Sequence, residues 1–176
     1  MAKPTFAKLG LTKNTEVKTF TYSGQEIEVK QYLPIEERLE LIGNAINNTL
    51  MTDENRFPNY VKLKMYVRLE IVFKYTNLVF TDKQKEDLPK LYDLLEGNGI
   101  IKMIEDRMPE YDYIFLTEDA REIFAGMHQY NNSVYGVLDN VRNNYSDMEL
   151  DIDKLRNELA TADNLDIVKQ VVDKLG

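Results

Sequence analysis

The text on either side of Ser23-Gly24 restricts the fold of this chain more than any other stretch. "EVKTFTY" precedes the pair and "QEIEVKQY" follows it. Val, Thr, Phe and Tyr suit a pleated backbone, and Ser-Gly suits the centre of a tight turn, so the spacing predicts a β-hairpin. A two-residue turn sets Phe20 opposite Ile27 on one face, while Glu28 and Lys30 alternate outward from Val29. Two strands alone are marginal in water, so the hairpin needs helices beneath it or a sheet lent by a neighbouring subunit. Packing on its own helices is the simpler solution.

From Leu33-Pro34 onward the periods are helical. Pro34 fixes its own φ and lacks only a donor that a first turn leaves unpaired, so it fits an early helix position, with Glu36 and Glu37 at the positive end of the dipole. Ile35, Leu39, Ile42, Ile46 and Leu50 recur at helical spacing and predict one apolar face. A polar loop over 52–59 separates this helix from "YVKLKMYVRLEIVFKYT", in which Val61, Met65, Leu69, Val72 and Phe73 form a stripe that Leu63, Tyr66, Val67 and Ile71 widen. A helix apolar over more than half its circumference belongs in the middle of a domain. Its remaining edge, Lys62, Lys64, Arg68 and Lys74, reads as a solvated cationic face.

Thr81 or Asp82 and then Asp87, with Pro89 close behind, supply helix caps, and Gly97 to Gly99 supplies a left-handed stop. A short helix over Ile100–Arg107 closes at Met108-Pro109. No proline interrupts Glu110 to Tyr145, where Ile123, Met127, Tyr130, Val134, Val137, Val141 and Tyr145 make a heptad-like seam. A helix of 30 to 36 residues there would be about 45 to 54 Å long, although Gly126, Gly136 and the Asn pairs at 131–132 and 143–144 weaken it. The predicted fold is mainly α with a small β element (α+β): an N-terminal β-hairpin followed by a helical bundle with one long helix. Residues 1–15 are expected to form a flexible arm, 16–145 the hairpin plus helical domain, and 146–176 an acidic helical tail.

Charge narrows the partners. The chain carries a net −8. Residues 1–90 hold 14 Lys and Arg against 12 Asp and Glu, whereas residues 91–176 hold 8 against 18. Phosphate contact needs a basic stripe, so direct nucleic-acid binding is not expected. No apolar run spans a bilayer, and the start lacks the apolar core of a secretory signal, which predicts a cytoplasmic protein with no membrane partner.

Little chemistry is on offer. There is no cysteine, which excludes disulfides and thiolates, and a single histidine, His128, cannot build the usual zinc site. Gly97-Asn98-Gly99 lacks the Lys-Ser/Thr of a phosphate loop, and "DMELDID" at 147–153 lacks the glycine and closing Glu of a calcium loop. No catalytic residue, metal ligand or cofactor site is expected, and the chain reads as a non-enzyme. Tyr66, Tyr75, Tyr92, Tyr130 and Tyr145 sit at helical spacings among apolar residues, as packing rather than stacking platforms.

"VKTFTYSGQEIEVKQYLPIEERLELI", joined to "FKYTNLVFTDKQKEDLPKLYDLLEGNGII", resembles a family of small proteins encoded in the virion structural and assembly region of tailed phages of low-GC Gram-positive bacteria. The likeness in layout covers about residues 5 to 145. It implies a structural or assembly protein of the capsid, neck or tail, acting by contact with itself or other phage structural proteins. Such a protein works in the host cytoplasm or the assembled virion, as a homo-oligomer or part of a larger assembly. An acidic inhibitor of a host defence or replication protein, imitating DNA, is the alternative. The candidate interface residues are Phe20 and Ile27 on the hairpin and Met127, Tyr130, Val134, Val137 and Val141 on the seam.

Overall fold

Ser23 and Gly24 both take positive φ, 49° and 77°, the pair of left-handed residues that a two-residue hairpin turn of the right twist requires. They join β1 (Val17–Tyr22) to β2 (Gln25–Lys30) in an antiparallel ladder that sets Phe20 opposite Ile27, the expected register. The computed structural model describes residues 3, 5–51, 58–131, 133 and 136. A 3-10 turn at Phe6–Leu9 precedes the hairpin, and helices follow: α1 (Ile35–Met51), α2 (Tyr60–Tyr75), α3 (Asp82–Lys85), α4 (Leu88–Gly97), α5 (Ile100–Glu105) and α6 (Glu110–Asn131). The fold is thus mainly helical with a small antiparallel sheet ahead of the helices. Residues 1–121 form one unit, and the second begins at Glu122, within α6.

The marginal hairpin is stabilised by its own chain. Phe20, Ile27 and Val29 are buried, and β2 packs on α2. Immediately after α2 the backbone turns along the outer edge of β2, forming an antiparallel bridge between Val29 and Thr76. Asn77 continues the imitation of a strand with its side chain. Its Oδ1 accepts from the Glu28 N–H at 3.1 Å and its Nδ2 donates to the Glu26 carbonyl at 3.5 Å. On the other side Gln31 Nε2 donates to the Arg107 carbonyl at 2.8 Å, and the Arg107 guanidinium lies 4.6 Å from the centre of the Phe20 ring.

Pro34 stands one residue before α1, its carbonyl accepting from Arg38 N–H at 3.0 Å. The buried face of this helix keeps Ile42 and Ile46 of the expected stripe but not its first two residues. Leu41, Ile42, Ala45, Ile46 and Thr49 are buried, whereas Ile35 and Leu39 are 57% and 58% exposed. Ala45 and Thr49 explain the rotation. Small side chains let α1 approach α2, its chief neighbour, and the Thr49 hydroxyl is satisfied within the helix by the Ala45 carbonyl at 2.7 Å.

The central helix is α2, as its wide apolar face predicts: Leu63, Tyr66, Val67, Leu69, Ile71, Val72 and Tyr75 are all buried. Val61, expected on its stripe, is instead exposed in the first turn. The cap residues fall where the sequence places them. Thr81 and Gln84 form a reciprocal capping box on α3, Asp87 caps α4 with Pro89 close behind, and Gly99 takes the left-handed conformation between α4 and α5.

The long helix is described as the 22 residues of α6, about 33 Å at 1.5 Å per residue. Its buried positions are Asp112, Leu116, Ala120 and Phe124, a four-residue step, while Ile123, Met127 and Tyr130 of the seam are exposed. The rest of that seam and the tail of 146–176 lie outside the described residues. Among the described residues no helix is long and apolar enough to cross a membrane.

The two faces of α1 yield a direct comparison. Leu41→Ala should destabilise the protein by about 2–5 kcal/mol, the usual cost of emptying a core leucine site. Leu39→Ala, although on the sequence-predicted face, should change stability by no more than about 0.5 kcal/mol. Urea unfolding of both variants checks this, and equal losses would contradict the observed packing.

Candidate interaction surface

Three clusters of polar side chains inside the first unit decide what this fold can do. Arg38, at the end of the first turn of α1, points back toward the hairpin exit, where its Nε donates to the Leu33 carbonyl at 2.7 Å. Its Nη2 lies 3.1 Å from each oxygen of Asp112, at the start of α6. The Tyr75 hydroxyl, from the end of α2, donates to Asp112 Oδ2 at 3.1 Å. Three helices therefore meet at one buried carboxylate. Burial first, and then the negative charge of Asp112, push the Tyr75 phenol well above its ordinary pKa.

The second cluster centres on Arg68. Glu105 grips it with both oxygens, at 2.6 Å from Nε and 3.0 Å from Nη2, while Nη1 donates to the Tyr92 hydroxyl at 2.6 Å and to Glu96 at 3.0 Å. The hydrogen bonds to Glu105 hold this guanidinium charged beyond its ordinary range, against the desolvation that opposes it. Burial, with Glu105 nearby, likewise raises the Tyr113 phenol. Arg68 is thus not part of a solvated cationic face; it ties α2 to α4 and α5. A cation already committed to two carboxylates and a phenol is a joint rather than an anion receptor.

Glu70 is the third. It sits in the buried face of α2 and accepts from Asn44 Nδ2 at 3.3 Å. Burial raises its pKa, and Asn44 and Lys74 only partly offset that. Glu70, Asn44, Lys74 and Lys85 line a cavity of about 390 Å³, with Lys74 held by Glu40 at 2.7 Å. A second cavity, of about 420 Å³, lies between Lys64, Tyr113, Thr117 and Arg121. Among the described residues no three His, Asp or Glu side chains gather as metal ligands, and the chain has no cysteine.

Among its exposed residues the fold also presents apolar ones. Phe6, Leu9 and Leu11 of the arm are 79%, 56% and 68% exposed, and the 3-10 turn ends at Gly10 in the left-handed region. Tyr32, just ahead of α1, and Ile35 and Leu39 in its first half are exposed. The Arg38 guanidinium lies 5.3 Å from the Tyr32 ring centre and 6.0 Å from that of Phe115, on which the exposed Tyr111 stacks at 6.1 Å. Tyr32, Phe115 and Tyr111 thus gather around the Arg38–Asp112 pair, and Ile35 and Leu39 are exposed on the helix that carries Arg38.

The sequence-predicted interface residues are distributed differently. Phe20 and Ile27 are buried in the chain's own core. Met127 and Tyr130, in the second unit, are exposed, and Val134, Val137 and Val141 lie outside the described residues. His128 is half-buried on α6. Sequence reasoning missed the patch of Tyr32, Ile35, Leu39, Tyr111 and Phe115, because Ile35 and Leu39 match the period of a core stripe. The signal that separates them was the nearby run of Leu41, Ala45 and Thr49. No protein-family model, curated protein or solved structure matches this chain.

The clusters lead to two expectations. Arg38→Met leaves Asp112 buried without its cation and should cost about 3 kcal/mol, as loss of one partner of a buried pair does. Glu70, with its folded pKa above the unfolded value, binds protons more readily in the fold. Its burial is therefore tolerated at pH below the ordinary glutamate range, and stability is lost as pH rises through the folded pKa. Glu70→Gln should raise the melting temperature at pH 8 and change it little at pH 4; a shift of equal size at both would place the cause in packing.

Proposed function

We propose that this chain is a non-enzymatic phage protein, a structural component of the capsid, neck or tail or an assembly factor for one of them. It works by contact with itself or with other phage structural proteins, in the host cytoplasm and, where it is incorporated, in the virion. The observation that carries this reading is the apolar surface of the first unit. Phe6 and Leu9 stand in water on a formed turn, and Ile35 and Leu39 stand beside an aromatic patch. Contiguous exposed apolar groups of this kind on a folded protein mark interaction sites. The resemblance of residues 17–42 and 73–101 to phage assembly-region proteins supplies the class of partner.

The polar clusters support the reading from the other direction. Arg38, Arg68, Tyr75 and Asp112 are engaged in holding helices to one another, which leaves their charges unavailable for substrate chemistry.

Deletion of the gene from a phage genome that carries it tests the proposal. Particle yield should fall sharply, incomplete particles should accumulate in thin-section micrographs, and the gene supplied in trans should restore both. Normal yield and morphology after deletion, with the chain absent from purified wild-type particles, would overturn it.

A further inference from the structure

The arm and the patch on α1 are complementary, although the arm's apolar residues remain exposed. Residues 1–15 contain Lys3, Lys8 and Lys13 and no acidic residue, interleaved with Phe6, Leu9 and Leu11. The patch contains Tyr32, Ile35 and Leu39 beside Tyr111 and Phe115, and its borders are acidic. Glu36 and Glu110 are exposed there and have no ion-pair partner among the described residues. A basic apolar segment and an acid-bordered apolar face therefore occur on one chain, each without cover.

We infer that the arm of one copy docks on the α1–α6 patch of a second copy. The inference rests on the contact-driven reading above and names its partner and surface. Two features of the arm support it. The 3-10 turn, closed by Gly10 at φ 60°, sets Phe6 and Leu9 three residues apart, on one side of a turn with about three residues per repeat. The apolar pair is thus already arranged before binding, which lowers the ordering cost of association. The arm is also anchored at its far end, where the Glu16 carbonyl accepts from Gln31 N–H at 2.9 Å. The six residues Gly10 to Thr15 between the turn and that anchor span up to about 20 Å when extended, enough to carry the turn away from the hairpin. Charge steers the encounter, while Phe6 and Leu9 against Ile35 and Leu39 remove apolar surface from water. Since each copy has one arm and one patch, the contact is head-to-tail, the kind that builds an exchanged pair, a ring or an open filament according to its rotation.

The experiment is sedimentation velocity on the full chain across a hundredfold range of concentration, at low and high salt. Wild type should associate, more weakly at high salt. Phe6→Asp with Leu9→Asp should weaken association at least tenfold and leave the melting temperature unchanged, because neither residue belongs to the core. Leu39→Lys should do the same. Lys8→Glu and Glu36→Lys should each weaken association, and the two together should recover part of the loss. A wild type that is monomeric throughout, with or without its arm folded back on its own patch, overturns the inference. So does association indifferent to the arm pair or to Leu39→Lys. Association that persists in the arm variants removes arm docking and leaves the assembly reading standing, whereas a normal deletion phenotype removes the assembly reading whatever the arm does.

Discussion

With Leu63, Tyr66, Val67, Leu69, Ile71, Val72 and Tyr75 all buried, α2 has almost no side to give to water, and a helix of that kind forms only if other elements surround it. The rest of the first unit is arranged by this demand. α1 lies along one side on its small residues, α4 and α5 cover another, and β2 packs on a third. The hairpin, too small to be stable alone, is stable here because it lies against α2 and because the chain leaving α2 pairs with its outer strand.

Much of this was legible in the sequence because it is encoded locally. Ser23-Gly24, Pro34, Thr81 with Gln84, Asp87 and Gly99 each act on the backbone within a few residues, and the observed turns and caps fall at those positions. The even spread of apolar residues around α2 was legible for the same reason. What failed was the identity of faces. A count of large apolar residues assigns Ile35 and Leu39 to the core of α1, yet the packed face runs through Ala45 and Thr49, whose smallness matters only once a neighbouring helix is present. On α6, Leu116, Ala120 and Phe124 are buried and Ile123 and Met127 are not. Two apolar stripes compete there, and periodicity has no means of ranking them.

The polar clusters were invisible for a different reason. Arg38 and Asp112 are 74 residues apart, and Arg68 and Glu105 are 37 apart, so no local pattern connects them. Their effect is to specify which surfaces meet. An apolar face tolerates sliding, whereas a guanidinium gripped by both oxygens of one carboxylate does not. Buried pairs of this kind contribute little net stability over apolar replacements, and their best-attested use is to fix a single arrangement.

Asn77, bonded through its side chain to Glu28 and Glu26, occupies the outer edge of β2 as a third strand would. On β1, Arg107 Nε donates to the Thr19 carbonyl at 3.4 Å. The two-stranded sheet therefore has one edge closed by its own chain and one edge guarded mainly by charge, with Lys18 upon it, a common way of discouraging unwanted pairing. A fibre grown strand upon strand needs two open edges in every molecule. Among the described residues the sheet has one, so pairing of β1 with β1 would end at a two-fold dimer.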